Sequence, residues 1–524
     1  MRIASLTCVC ALFLGFSAHA RPLSAEEKRA DFEQLASLIK SQYGPYEFKV
    51  QSLKLDLDKL VDQYAAEAAT VSNIGFYHLI NRFVAEFKDS HFRTRVQTDY
   101  VATLGFIADR IDGKVLIDQI SRTHLPEWAF DFQRGDEIVS IDGKPAHQVV
   151  EGLAKYIGMG NPEAALRMAA VMIGHRPAAM LPPVSGLAEV AIRRGTSSII
   201  EKVRLPWHEA GDLLEDVDAS PTWAAAPPRY EQLSVADVFA DIPQGEQAFR
   251  CSGMTRTAPP KGTTVLMTKP FVAYFHPTPK GNIGYLRIPH YSWEDQSELR
   301  LQQYEYVVSQ LEKYTDALII DQDHNCGGSV FFLEKMVALF ADKPYQGLEF
   351  KFLASRAEYL DFKNWVDSEN RFTLMGADWV GVTALVKNAW LSRSRMSPKV
   401  TFHNNRMLHP NAIRYTKPIV MLIDELSGSG GDAFPAIMQG MKRAKLMGKR
   451  TMGAGGHVVS VPALNYSSNT LSITKSLFFR PDGVEVENNG VVPDIKYEPT
   501  RDDFLYQYRN YQARYLDEVQ KLIP

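Results

Sequence analysis

The sequence predicts an α/β layered core, preceded by a helical region and interrupted by a β-rich module. Three observations lead there. From residue 283 onward short, continuous apolar runs (Ala317-Leu318-Ile319-Ile320-Asp321, then residues 418–423) alternate with helical patterns over residues 329–340 and 430–441. Such alternation is the signature of strands covered by helices. Between residues 104 and 143 apolar residues are instead punctuated by turn dipeptides. Before them, Phe76, Leu79, Ile80, Phe83, Val84 and Phe87 recur at the spacing of one buried helix face.

The elements follow in chain order. Met1-Arg2, an apolar run through Phe16 and Ala18-His19-Ala20 have the charge, length and small-x-small ending of a secretory signal peptide, so residues 1–20 are expected to be removed on export. No later run reaches the ~18 apolar residues of a membrane span. Residues 21–99 read as a helical region whose helix bearing Phe76 to Phe87 ends at Lys88-Asp89, directly before Ser90-His91. Around Asp112-Gly113 a two-residue turn predicts a hairpin, and Gly135-Asp136-Glu137-Ile138-Val139-Ser140-Ile141-Asp142-Gly143 reads as a strand between turns. This stretch resembles the core of PDZ domains, which bind extended peptides by strand addition. The resemblance implies a PDZ-like module over residues 100–205, with a helical excursion near 162–172; a β-subdomain without peptide-binding role is the alternative. Residues 206–280 are proline-rich and poorly periodic, and read as a connector that covers the cleft and is cut during activation. Residues 281–524 read as the α/β part, which carries the candidate chemistry described below.

Composition narrows the function. With 45% hydrophobic and 23% charged residues among 524, there is apolar material for a sizeable core. A net charge of -3 without a basic block argues against nucleic acid or an anionic membrane surface as partner. Of four cysteines, Cys8 and Cys10 leave with the signal; Cys251 and Cys326 are too few for a metal site, and whether they pair is open.

The chemistry concentrates in Ile423-Asp424-Glu425-Leu426-Ser427-Gly428-Ser429-Gly430-Gly431-Asp432. A buried strand ends in a Gly/Ser turn and re-enters as a helix. That puts Ser429 beside free backbone N–H groups and the positive end of a helix dipole, where an oxyanion is stabilised. Gly430 N–H is the natural donor. Pro435 is read in the first helical turn, where a missing N–H matters little. Taken alone, such a loop is more often a plain turn or an anion site.

Ser427-Gly428-Ser429, with the following Arg450-Thr451-Met452-Gly453-Ala454-Gly455-Gly456, resembles the nucleophile region of the C-terminal processing (tail-specific) serine peptidases. In that family the second serine is the nucleophile and a lysine follows where Ala454 stands here, so a serine–lysine dyad is impossible. The departure matches the tricorn-like branch, which uses histidine and glutamate. Asp89-Ser90-His91 and Val486-Glu487-Asn488-Asn489-Gly490 resemble that branch's base and carboxylate motifs.

The resemblance implies a crotonase-like layered core and a catalytic set of Ser429 as nucleophile, His91 as general base and Glu487 as support, directly or relayed through Ser90. It also implies oxyanion donors at Gly430 and, from Asn325-Cys326-Gly327-Gly328, at Gly327. Without that context His91 reads as a helix-end histidine and Glu487 as a solvated charge.

The expected activity is an exported serine endopeptidase, periplasmic or secreted. It acts on protein or peptide substrates through an acyl-enzyme, with no metal or organic cofactor. A homo-oligomer is compatible with the sequence. The alternative is a catalytically inactive peptide-binding scaffold on the same fold, for which Ala454 is the best support.

Overall fold

Both apolar runs are strands with every residue buried: Ala317–Asp321 and Ile419–Ile423. Burial on both faces is the reason they read as continuous rather than alternating sequence. In the computed structural model, which describes residues 22–195, 197–213, 250–367 and 378–524, they lie at the centre of a seven-stranded sheet. Its order is Thr264–Met267, Ala273–Thr278, Gly281–Arg287, Ala317–Asp321, Ile419–Ile423, Lys445–Gly448 and Ile495–Lys496. The first two joins are antiparallel and the remaining four parallel. The period of two sorts side chains between layers. Leu318, Ile320, Met421 and Ile423 pack under helices Ser297–Tyr314, Val330–Ala338 and Gly430–Gly440; Ile319, Val420 and Leu422 meet Tyr511, Tyr515 and Val519 of the helix Arg509–Gln520.

The expected helical region is four helices, Ala25–Gln42, Tyr46–Leu53, Leu57–Ala68 and Asn73–Ala85, three of them N-capped by Ser24, Asp56 and Ser72. Within that region Arg93–Arg95 departs from helix and pairs with Thr470–Thr474, which in turn pairs with Val458–Val461. This small sheet ties the N-terminal helices to the C-terminal part of the chain.

Asp112 and Gly113 both have positive φ (52° and 72°), as the tight hairpin turn between Phe106–Ile111 and Lys114–Ile120 requires. These strands join Glu137–Ile141, Leu187–Arg193 and Ile200–Pro206 in a sheet covered by helix Pro162–Val171.

Two expectations change. Residues 206–280 are not all connector: Thr264–Met267 and Ala273–Thr278 belong to the central sheet, hidden in the sequence by neighbouring prolines. Pro435 lies beyond the first turn of its helix. A proline there removes the N–H that Gly431 C=O would accept; the side-chain amide of Gln322 donates to that carbonyl instead, at 3.0 Å. The signal peptide and residues 214–249 of the connector lie outside the described residues. Among the described residues, no helix is long and apolar enough to cross a membrane.

Cys251 and Cys326 form a disulfide across 75 residues. Constraining a loop of that length in the unfolded chain contributes about 4 kcal/mol on the chain-entropy account. Replacing both cysteines with alanine should lower the urea midpoint, as reduction of the wild-type protein should. An unchanged midpoint in both would show the bond contributes nothing.

Candidate active site

The turn into the helix Gly430–Gly440 is built by two buried carboxylates. Asp424, at the end of the strand Ile419–Ile423, accepts the backbone N–H groups of His324, Leu426 and Ser427 at 2.8, 3.2 and 3.0 Å. Ser427 Oγ lies 2.8 Å from Gln322 O, and Gly428 N–H donates to Asn325 O at 2.9 Å. The chain then reaches Ser429 in a left-handed conformation, φ 59° and ψ -113°. A non-glycine residue rarely stays there unless surrounding bonds hold it.

Asp432 supplies that hold. Its carboxyl accepts Ser429 N–H (2.9 Å), Gly453 N–H (2.9 Å), Ala454 N–H (2.9 Å) and the Thr451 hydroxyl. Burial pushes this acid up to about 6, against the pull of those donors. Ser429 and Ala454 N–H groups share one oxygen, Asp432 Oδ2, so the serine turn and the loop after it are locked together. Ala454, where the resemblance places a lysine, is buried among apolar side chains including Leu426 and Met452.

Gly430 N–H, at the helix start, donates to no group among the described residues. The turn Asn325–Gly328 lies against it. A Cβ on Gly327, whose φ is +76°, would sit 2.6 Å from Ser429 Cβ and 2.7 Å from Gly430 N. Only glycine fits. The Gly327 N–H is engaged by Asn325 Oδ1 at 2.8 Å, so this expected oxyanion donor is occupied.

His91 arrives from the other side. Asp89 Oδ1 accepts His91 and Phe92 N–H at 2.8 and 3.2 Å, while Oδ2 accepts the Tyr43 and Thr474 hydroxyls, both at 2.8 Å. Burial raises the Asp89 carboxyl, but Lys49, His91 and these donors outweigh it and hold the group below its ordinary value. Burial also pushes the His91 imidazole down to about 4, opposed by Asp89 and the Gly455 backbone. The ring is neutral at pH 7, the form a general base needs. Its Nδ1 is buried without a hydrogen-bond partner.

Glu487 is fully buried between Lys49 Nζ, which donates to Oε1, and Gly455 N–H, 2.8 Å from Oε2. Burial and the charge of Asp89 push it up to about 8, against Lys49. The dipeptide Ala454-Gly455 therefore stands among Ser429, His91 and Glu487. No hydrogen bond among the described residues joins these three side chains directly, and Ser90 Oγ is buried without a partner. Sequence reasoning missed Lys49, Tyr43 and Asp432. Asp432 had a signal, the three-residue spacing of a capping box from Ser429; Lys49 had none.

A family model, Peptidase family S41, matches residues 282–497, and a PDZ domain model matches residues 100–217. Residues 282–497 are a peptidase family S41 domain. With the S41 domain goes the activity class: the chain is a serine-type peptidase, and its substrates are proteins. A protein of Chlamydia muridarum is 27% identical over 583 aligned residues, covering 96% of this chain and 94% of its own. A carboxy-terminal-processing protease of Bartonella bacilliformis is 29% identical over 82 residues, 16% of this chain. The crystal structure of mature CPAF superposes with a TM-score of 0.78 at 24% identity, covering 95% of this chain and 97% of that one, and so shares the fold. Among the described residues of the S41 domain and its neighbours, no group of three or more His, Cys, Asp or Glu side chains could hold a metal ion.

Gly327→Ala should force Ser429 or Gly430 to move and cut the rate of fluorophosphonate labelling by about two orders of magnitude, as loss of an oxyanion donor does. The unfolding midpoint reads folding separately. Wild-type labelling by this variant would show the close approach to be unimportant.

Proposed function

We propose that the protein is an exported endopeptidase that hydrolyses protein substrates through an acyl-enzyme on Ser429, with His91 as general base and Glu487 as supporting carboxylate. The observation that carries this reading is the left-handed Ser429 at a helix start, with a free Gly430 N–H beside it. Such a turn exposes a hydroxyl and aims a backbone donor at the same point.

In the proposed reaction His91 accepts the Ser429 proton as Oγ attacks the peptide carbonyl. Gly430 N–H stabilises the tetrahedral oxyanion, joined by Gly327 N–H once Asn325 Oδ1 releases it. His91 then protonates the leaving amine, and water hydrolyses the ester by the same route. Catalytic hydrogen bonds often tighten only when substrate is bound, so Ser429 and His91 close up in the loaded enzyme. Glu487 acts across Gly455 to stabilise the imidazolium, directly or through Ser90. The PDZ domain presents extended peptide to the cleft by strand addition.

A fluorophosphonate probe on the mature protein tests the reading. Mass spectrometry should find one adduct, on Ser429. Ser429→Ala should abolish it, and His91→Ala should slow it by at least ~100-fold. The sign of the pH dependence follows from the two shifted groups. His91 is a base only when neutral, so labelling falls as pH drops through about 4; Glu487 supports a cation only when ionised, so labelling rises as pH climbs through about 8. An adduct elsewhere, or none on a folded protein, would overturn the assignment and favour a peptide-binding scaffold.

A further inference from the structure

The helix Tyr46–Leu53 buries a single residue, and that residue is a lysine. Neither Lys49 nor Glu487 has any side-chain exposure. Burying an ammonium is costly unless it is paired and its donors are satisfied. Lys49 Nζ has three donors, and all three are used: one on Glu487 Oε1, one on Asn488 Oδ1 at 2.7 Å, one on Lys88 O at 3.0 Å. Lys88 itself is left-handed, φ 49°, and leads straight into Asp89-Ser90-His91. One side chain thus bonds both the segment bearing Glu487 and the turn bearing His91, which are otherwise brought together from opposite ends of the chain.

We propose that Lys49 is a positioning residue of the catalytic apparatus that acts through Glu487, anchored on the turn that carries His91 and holding the carboxylate in one orientation. The proposal rests on Glu487 being the supporting carboxylate. With Oε1 on Lys49 and Oε2 on Gly455 N–H, the carboxylate has one orientation, set from two sides. The charged and titratable groups facing it are Lys49, Asp89, Tyr43 and, through Asp89, His91. Lys49 is the cation opposing both burial and the like charge of Asp89. Without it, Glu487 holds its proton to higher pH.

The test measures the rate of fluorophosphonate labelling of Ser429 in the full-length protein, across about pH 5 to 10, for wild type, Glu487→Gln, Lys49→Met, Lys49→Arg and the double variant Lys49→Met/Glu487→Gln. Glu487→Gln should slow labelling at least ~10-fold and remove the alkaline rise. Lys49→Met should be slow at neutral pH and recover at a pH above the wild-type midpoint; Lys49→Arg should keep the wild-type midpoint. The double variant should label like Glu487→Gln alone. A packing role would instead lower the rate equally at every pH and slow the double variant further; either result, or a wild-type midpoint in Lys49→Met, overturns the proposal. Should Lys49→Met not fold, the double variant decides, since a neutral pair leaves no lone buried charge. If Glu487→Gln labels like wild type, the role of Glu487 itself fails, which is a distinct outcome.

Discussion

A carboxylate cut off from water has to be satisfied by the protein, and Asp432 meets that demand with three backbone N–H groups and a hydroxyl. Everything around the Ser429 turn depends on this. The four donors come from two segments, Ser429 and residues 451–454, so the left-handed backbone at Ser429 and the path of the Gly453–Ala454 loop are one structure. Strain at Ser429 persists because the same atoms that relieve Asp432 prevent the turn from relaxing. The helix that follows tolerates Pro435 for a related reason: Gln322 supplies the missing donor from the neighbouring strand end.

A second layer of buried charge supports the first. Behind the turn, Arg256 pairs with Asp323 and Asp424, and His324 with Asp424, while Arg167 binds Asp109 and reaches Glu425. Arg167 and Asp109 belong to the PDZ domain, Arg256 to the chain just after the disulfide at Cys251. Pairs of this kind add little net stability against apolar replacements, but removing one partner strands the other. Their effect is to dictate how three parts of the chain abut the strand end that precedes Ser429.

The surroundings of His91 are assembled differently. Arg93–Arg95 enters a sheet with Thr470–Thr474, and Thr474 in turn bonds Asp89. Backbone pairing sets the register, and Asp89 then turns the chain so that His91 follows it inward. Phe87 and Phe92, buried on either side of this turn against Tyr43, keep it dry. The low affinity of His91 for protons is a consequence of that burial.

Much of this was legible in the residues. Asp112-Gly113 announced a hairpin because few dipeptides accept two positive φ angles, and Ala317–Asp321 announced a doubly covered strand because nothing polar interrupts it before its end. Ser427-Gly428-Ser429 and its flanks announced the S41 domain. The strands at 264–278 were not legible: Thr264–Met267, at the sheet edge, buries no residue, and Pro277 interrupts the pattern of Ala273–Thr278.

What the sequence determined by itself were local properties: turn types, caps, buried strands, and which residues are candidates for chemistry. Those follow from sterics and periodicity within a few neighbours. Which atoms bind which was decided by tertiary structure alone. Lys49 meets Glu487 across 438 residues, and Thr474 meets Asp89 across 385. Pairing of buried polar groups is a property of the enclosed space, and no window of sequence encloses it.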